Sequence, residues 1–127
     1  MFRGVGPYGV LPVYTLGIIA VSVMPPSGGT PAWNFDKVGH YLAYAGLGML
    51  VCFALRGSAE RVWGLLGAVG LGAVLELVQS QIPGWDMSLA DGVVNTVGVL
   101  TGLVLFSLRE RDVRRMARVI FRGQGWE

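Results

Sequence analysis

The chain has 127 residues, of which 53% are apolar and only 14% are charged, and its mean hydropathy is +0.56. Because soluble globular domains carry charge on about 25% of their residues, this composition excludes a domain that water solvates on every side, and the apolar content excludes a disordered chain. The single cysteine, Cys52, lies in an apolar run, which excludes a disulfide framework and a cysteine-based zinc site.

Four apolar stretches follow one another along the chain, each long enough for a helix that crosses about 30 Å of hydrocarbon. They cover residues 8–24, 38–55, 62–82 and 89–108, and none contains Lys or Arg. Short joints rich in Pro and Gly separate them, as is typical of helix ends. The sequence therefore predicts an all-α fold, in which residues 1–127 form one integral membrane bundle of four transmembrane helices with short loops.

The first stretch has a second interpretation as a signal peptide, because Arg3 precedes it and small residues follow it near Pro31. Its apolar part is longer than a usual signal peptide core, and Pro31 is poorly placed for cleavage. We expect the stretch to be retained as a membrane helix.

Orientation follows from the basic residues, because loops rich in Lys and Arg stay in the cytoplasm. In a four-span protein the N-terminus, the middle loop and the C-terminus share one side, and this side holds all nine arginines, whereas the other side holds Lys37 alone. With four acidic residues on each side, the charge is +5 inside and −3 outside. The sequence predicts a multi-pass protein of the cytoplasmic (inner) membrane with both termini in the cytoplasm.

The basic tail, residues 109–127, follows the fourth span and contains six of the arginines. Val113, Met116, Ala117 and Ile120 share one helical face, which indicates an amphipathic helix that lies in the membrane interface with its arginines toward anionic headgroups. Nucleic-acid binding is the rival explanation of the basic charge. We expect no nucleic acid, because the topology already requires positive charge on this side.

Polar residues are concentrated at the predicted outer ends of three spans. Helical spacing places Lys37, His40 and Tyr44 on one face of the second span, and Glu76 and Gln79 share a face of the third. Asp91 and Asn95 share a face of the fourth. Because a charge at the centre of a membrane helix costs about 2.5–3.5 kcal/mol, these faces are expected to turn toward each other and form a pocket on the extracytoplasmic side.

Small residues four apart occur in the same three spans and favour close helix packing. The pairs are Gly39 with Ala43 in the second span, Ala68 with Gly72 in the third, and Gly98 with Gly102 in the fourth. The pattern predicts a compact bundle without identifying which helices pair.

Two blocks of this sequence resemble the VanZ-like family of small bacterial membrane proteins. The first is DKVGHYLAY, residues 36–44, which is similar to the family pattern D-K-x-x-H-x-x-x-Y. The second contains Glu76 and Gln79, followed by Pro83, Ser88, Asp91, Asn95 and Gly98, and is similar to E-x-x-Q followed by P-x-R-x-x-S-x-x-D-x-x-x-N-x-x-G. One position departs from the pattern, since Trp85 stands where the family usually carries arginine. Bidentate recognition of an anion is therefore not expected at that position.

The resemblance implies four membrane spans, an envelope function and a link to resistance against the glycopeptide teicoplanin. Expected partners are membrane lipids and a lipid-linked envelope precursor or a glycopeptide, and the oligomeric state stays open. Candidate acid–base residues are His40, Glu76 and Asp91. Candidate substrate-binding residues are Asp36, Lys37, Tyr44, Gln79, Trp85, Ser88 and Asn95.

Three functions remain open from the sequence: catalysis on an envelope lipid, binding without turnover, and a purely structural role in which the polar residues fasten the helices. Whether the protein is an enzyme stays undecided, because Ser80 and Ser88 are candidate nucleophiles by position only. We expect no cofactor. A metal site made of His40, Glu76 and Asp91 is chemically possible, but no local ligand motif is present, so no metal is predicted. A proton or ion pathway is disfavoured, because the inner halves of the spans lack polar residues.

Overall fold

The computed structural model of the chain describes residues 6–25 and 33–123, and these residues form four α-helices and no strand. The helices are α1 (Pro7–Val23), α2 (Trp33–Ala54), α3 (Ser58–Gln79) and α4 (Leu89–Gly123). The predicted all-α class and the order of four helices are therefore confirmed. Thr30, Pro31 and Ala32, on which the signal-peptide interpretation depended, lie outside the described residues.

Two of the described helices are both long and apolar enough to cross a membrane, namely α3 and α4. The first helix is apolar but has only 17 residues. Helix number and order thus agree with the sequence prediction, while the length and hydropathy of a membrane span are found in two of the four.

The helix boundaries differ from the predicted spans in ways that the joints explain. α3 ends at Gln79 rather than at residue 82, because the backbone N–H groups of Gln81 and Ile82 bond three residues back instead of four and the chain then enters the turn at Pro83 and Gly84. Gly84 has a φ of 92°, a conformation that glycine adopts at little cost. α2 and α3 begin earlier than predicted, at Trp33 and Ser58, so polar first turns extend both apolar stretches.

The basic tail is a continuation of α4, because the helix runs without a break to Gly123. No Gly or Pro occurs between residues 103 and 122, and Leu, Arg, Glu and Met favour an uninterrupted helix. The predicted tail helix is therefore present and is joined to α4 without a break, while its place in the membrane interface stays a prediction. At 1.5 Å per residue, α4 is about 52 Å long and extends well past the end of the bundle.

The core of the bundle lies between α2 and α4, which form the most extensive helix pair, with α1 and α3 packed beside them. Tyr44, Leu47 and Val99 are almost completely buried there. A Cβ on Gly98 would lie 2.7 Å from the Tyr41 carbonyl oxygen, and one on Gly102 would collide with the Ala45 carbonyl. Glycine at both positions lets the two backbones touch, so this small-residue pair is a packing motif, as predicted.

Of the other two small-residue pairs, one lies at a helix contact and the other does not. Ala68 and Gly72 are buried, and a Cβ on Gly72 would contact Tyr44 and Asn95, so this pair also lies in the packed interior. A Cβ on Gly39 would meet nothing within 4 Å. Gly39 therefore does not serve helix packing, contrary to the prediction.

Candidate functional site

Two polar links join α2 to α4 at the end of the bundle where both helices begin. The Lys37 ammonium donates to Asp91 Oδ1 at 2.5 Å, and His40 Nδ1 lies 3.0 Å from Asn95 Oδ1. α2 and α4 run parallel, and the second link lies about one turn beyond the first on both helices. It is three residues further along α2 and four residues further along α4. A third link joins the same two helices, since the Tyr41 hydroxyl donates to Thr101 Oγ1 at 3.1 Å.

The contact with Asn95 orients the imidazole of His40. An amide oxygen only accepts, so this contact is a hydrogen bond from His40 Nδ1–H to Asn95 Oδ1. The other ring nitrogen, Nε2, lies 3.7 Å from Asp36 Oδ1 on the same helix. The imidazole is therefore oriented by one neighbour and directed at a carboxylate, which is the arrangement that an acid–base or ligand-binding histidine needs.

Glu76 and Gln79 lie at the C-terminal end of α3 and are both buried. Glu76 Oε2 accepts from the Ser88 backbone N–H at 3.4 Å, and its carboxylate interacts electrostatically with His40 and Asp91. Gln79 points the other way and donates from Nε2 to the Ser22 carbonyl of α1 at 3.0 Å. One helix end thus connects the α2–α4 network with α1.

Ser88 directly precedes α4, and its hydroxyl accepts from the Asp91 backbone N–H at 3.4 Å. This is an N-cap contact, which supplies an acceptor to the free N–H groups of the first helical turn. Ser80 donates to the Leu77 carbonyl at 2.6 Å and is exposed. Among the described residues no hydrogen bond joins either serine to His40, so no serine–histidine pair is assembled there.

A cavity of about 500 Å³ opens beside this network, between α1 and α2. Its apolar wall comes from α1, including Gly17, Ile18 and Val21. Its polar lining comes mainly from the other elements and consists of Asp36, His40, Gln79 and Trp85, with Tyr14 and Ser22 on α1. The cavity therefore has one apolar flank and one polar flank, and its volume is in the range of small-molecule sites.

The ten sequence-predicted site residues fall into two groups. Those that line the cavity are Asp36, His40, Tyr44, Gln79 and Trp85. Those that lie in the α2–α4 network or cap its helices without lining the cavity are Lys37, Glu76, Ser88, Asp91 and Asn95. His40 belongs to both, because its imidazole lines the cavity and bonds to Asn95.

Trp85, in the connection between α3 and α4, lines the cavity. The indole Nε1 donates to the Met24 carbonyl at 2.8 Å, which ties the α3–α4 connection to the end of α1. The side chain that replaces the arginine of the VanZ-like pattern therefore makes a structural contact and contributes an aromatic surface to the cavity.

Sequence reasoning missed the contribution of α1, which it treated only as a membrane span. Tyr14, Gly17, Ile18, Val21 and Ser22 follow the spacing i, i+3, i+4, i+7, i+8 and line the cavity together. The Tyr14 hydroxyl also donates to the Ala43 carbonyl at 2.9 Å. The signal that could have found this face is the helical alignment of the hydroxyl groups of Tyr14 and Ser22 in a mostly apolar helix.

Three side chains have the composition of a metal site. Asp36, His40 and Asp91 each offer one ligand atom, and these atoms lie within 4.8 Å of one another. This group contains Asp36 where the set considered from the sequence contained Glu76. Lys37 already supplies a positive charge to Asp91, so a divalent ion would compete with its ammonium group for this carboxylate.

Comparison of the chain with models of known protein families, with curated proteins and with solved structures finds no match in any of the three. Function is therefore argued from the residues of this chain.

Proposed function

We propose that this chain is a VanZ-like, multi-pass protein of the cytoplasmic membrane that binds a cell-envelope lipid or lipid-linked precursor in the cavity beside α1. The single observation that carries the proposal is the division of this cavity into an apolar flank on α1 and a polar flank around His40. A lipid has the same division, with an acyl chain at one end and a polar headgroup at the other.

The outer surface of the helices supports the membrane part of the proposal. Large apolar side chains are exposed on all four of them, with Leu16 at 64%, Leu42 at 61%, Leu77 at 59% and Leu100 at 53%. Exposed apolar surface on this scale is a liability in water, whereas lipid tails solvate it. In this proposal α1 and α2 also cross the bilayer and complete a four-span bundle.

The distribution of arginine supports the orientation. Among the described residues, Lys37 is the only Lys or Arg at the end of the bundle with the cavity, whereas the opposite end carries the arginines of the α2–α3 joint and of α4. By the positive-inside rule the cavity then opens on the extracytoplasmic side and both termini lie in the cytoplasm.

Binding is favoured over turnover because the cavity holds an oriented histidine without a hydrogen-bonded serine among the described residues. In the bound lipid, the headgroup contacts His40, Asp36 and Gln79, and the chain lies along Ile18 and Val21. The resemblance to the VanZ-like family extends the proposal to glycopeptide resistance as a consequence of an altered envelope. This extension rests on the two sequence blocks and not on the cavity.

Gly39→Leu tests the proposal, because it places an apolar side chain at a position that lines the cavity. A Cβ on Gly39 meets nothing within 4 Å, and the residue lines the cavity. Gly70→Leu is the matched control, since Gly70 is also helical and free of neighbours but lies away from the cavity. Native mass spectrometry of the purified protein should show that lipid occupancy falls about tenfold or more in Gly39→Leu, which corresponds to a loss of about 1.4 kcal/mol of binding free energy. Equal lipid occupancy in both variants would refute the proposal.

A second candidate function is purely structural, and the links between α2 and α4 favour it. Lys37 with Asp91, His40 with Asn95, and Tyr41 with Thr101 all join the same two helices. In this alternative the polar side chains fasten the bundle, each hydrogen bond contributing about 1 kcal/mol or less.

His40→Ala and Asn95→Ala separate the two functions. Both variants remove the same hydrogen bond, but only His40 lines the cavity. The structural alternative predicts lower thermal stability in both variants with unchanged lipid content. Lipid binding predicts a lower lipid content in His40→Ala than in Asn95→Ala.

A further inference from the structure

A second cavity, of about 370 Å³, lies at the opposite end of the bundle, where α2 ends, α3 begins and α4 continues as the basic tail. Four arginines from three different segments line it, namely Arg56, Arg61, Arg109 and Arg114. Phe53, Phe106 and Glu110 also line it. Basic residues that the sequence analysis assigned to topology and to a helix in the membrane interface therefore converge on one concave site.

Two of these guanidinium groups are held against aromatic rings. Arg61 lies over the Phe106 ring at 4.7 Å from the centroid, and Arg109 lies over the Phe53 ring at 4.8 Å. The two rings themselves pack edge to face. Stacking occupies the face of a guanidinium group and leaves the N–H donors at its edge for a ligand, so the rings hold the arginines in position for an anion.

The charge of the cavity is not balanced by its own residues. Glu110 is the one carboxylate in the lining and lies 3.9 Å from Arg61 and 3.8 Å from Arg114. Arg61 Nε additionally donates to the Leu55 carbonyl at 2.6 Å, where α2 ends. Within residues 6–25 and 33–123, no ion pair neutralises Arg56 or Arg109, so the four arginines and one glutamate leave a charge of +3 around the cavity.

We propose that this cavity binds the phosphate group of an anionic membrane lipid. The planar fork of arginine matches phosphate geometry, and basic pockets at the cytoplasmic ends of membrane helices recognise anionic headgroups. Leu105 and Leu108, which adjoin Phe106 and Arg109 in the sequence, are exposed and can contact an acyl chain. A free phosphate ion shares the chemistry of the headgroup, and the experiment separates the two sources. The inference rests on the membrane orientation proposed above, but it does not depend on lipid binding in the cavity between α1 and α2.

The test compares two double variants that lose the same charge. Arg56→Gln with Arg109→Gln removes the two arginines that no ion pair neutralises, whereas Arg111→Gln with Arg115→Gln removes two exposed arginines outside the cavity. Each purified protein is titrated in neutral detergent with phosphatidylglycerol, with phosphatidylcholine and with inorganic phosphate, and binding is followed by native mass spectrometry. At about 1 kcal/mol per arginine, the cavity variant should bind phosphatidylglycerol about 30-fold more weakly, and the control variant should bind it nearly as well as the parent chain.

The double variant Arg56→Lys with Arg109→Lys controls for misfolding, because it keeps the positive charge and removes only the planar guanidinium donors. It should bind with intermediate affinity and give the circular dichroism spectrum of the parent chain. Equal weakening in the cavity and control variants would overturn the proposal by showing that only net charge matters. Phosphatidylcholine bound as tightly as phosphatidylglycerol would overturn anion recognition, and displacement of the lipid by millimolar inorganic phosphate would overturn the assignment to a lipid.

Discussion

Gly98→Ala probes the closest contact between α2 and α4. The added Cβ would lie 2.7 Å from the Tyr41 carbonyl oxygen, and 3.1 Å from both Ala45 N and Tyr44 Cβ. The first distance is 0.7 Å short of the 3.4 Å at which ordinary contact begins, and the neighbouring atoms belong to backbone or to the root of a buried side chain. The two helices must therefore separate, because no flexible side chain can move away instead.

The expected cost is about 1–3 kcal/mol of unfolding free energy, as for other overpacked cores. Gly92→Ala is the matched control in the same helix, because a Cβ there meets nothing within 4 Å. Both variants gain the higher helix propensity of alanine, about 1 kcal/mol, so the difference between them isolates the helix contact. Separation of the helices should also lengthen the link between His40 and Asn95, which lies one turn away.

Unfolding in mixed micelles with increasing denaturing detergent, followed by far-ultraviolet circular dichroism, measures this difference. Gly98→Ala should unfold at lower detergent than the parent chain, and Gly92→Ala at equal or higher detergent. Free energies of unfolding that agree within about 0.5 kcal/mol for the two variants would refute the packing of α4 against α2 at this position.

Two further predictions concern the ion pair and the orientation. Lys37→Met leaves the nearly buried Asp91 carboxylate without its ammonium partner and should lower the unfolding free energy by about 2–4 kcal/mol. The double variant Lys37→Met with Asp91→Asn should recover most of this loss, because it also removes the buried charge. A double variant as unstable as Lys37→Met would contradict coupling between the two residues. A membrane-impermeant maleimide should label Asp86→Cys in intact cells and Ser58→Cys only after permeabilisation, and the opposite result would reverse the orientation. The parent chain is the unlabelled control, because its single cysteine, Cys52, is fully buried.

The helices and their order could be read from the sequence because the signals are local. Apolar stretches of membrane length and the turn at Pro83 and Gly84 define where helices run and where one of them stops. The same local reasoning placed the polar residues at common ends of their helices, since the rise per residue converts position in a span into depth. Local reasoning did not locate the start of α3 or the end of α4, because polar residues such as those within 58–61 and the arginines after residue 108 are found both inside helices and beyond their ends.

The sequence did not reveal which polar residues line the cavity and which link α2 to α4, because this depends on the rotation of each helix about its axis. Gly39 and Gly98 carry the same small-residue signal, yet the first lines a cavity and the second touches the backbone of a neighbour. Glu76 and Gln79 are both buried at the same helix end, yet one bonds toward α4 and the other toward α1. Packing of whole helix surfaces sets these rotations, and no single motif encodes it.

The amino-acid sequence by itself determined that this chain is a set of four helices with scarce polar residues gathered at one end and arginines at the other. Composition and spacing along a single helix suffice for that, because both are properties of neighbouring residues. The tertiary structure decided that α1 supplies the apolar wall of one cavity and that arginines from three segments meet in another. These juxtapositions arise only when separate helices pack together.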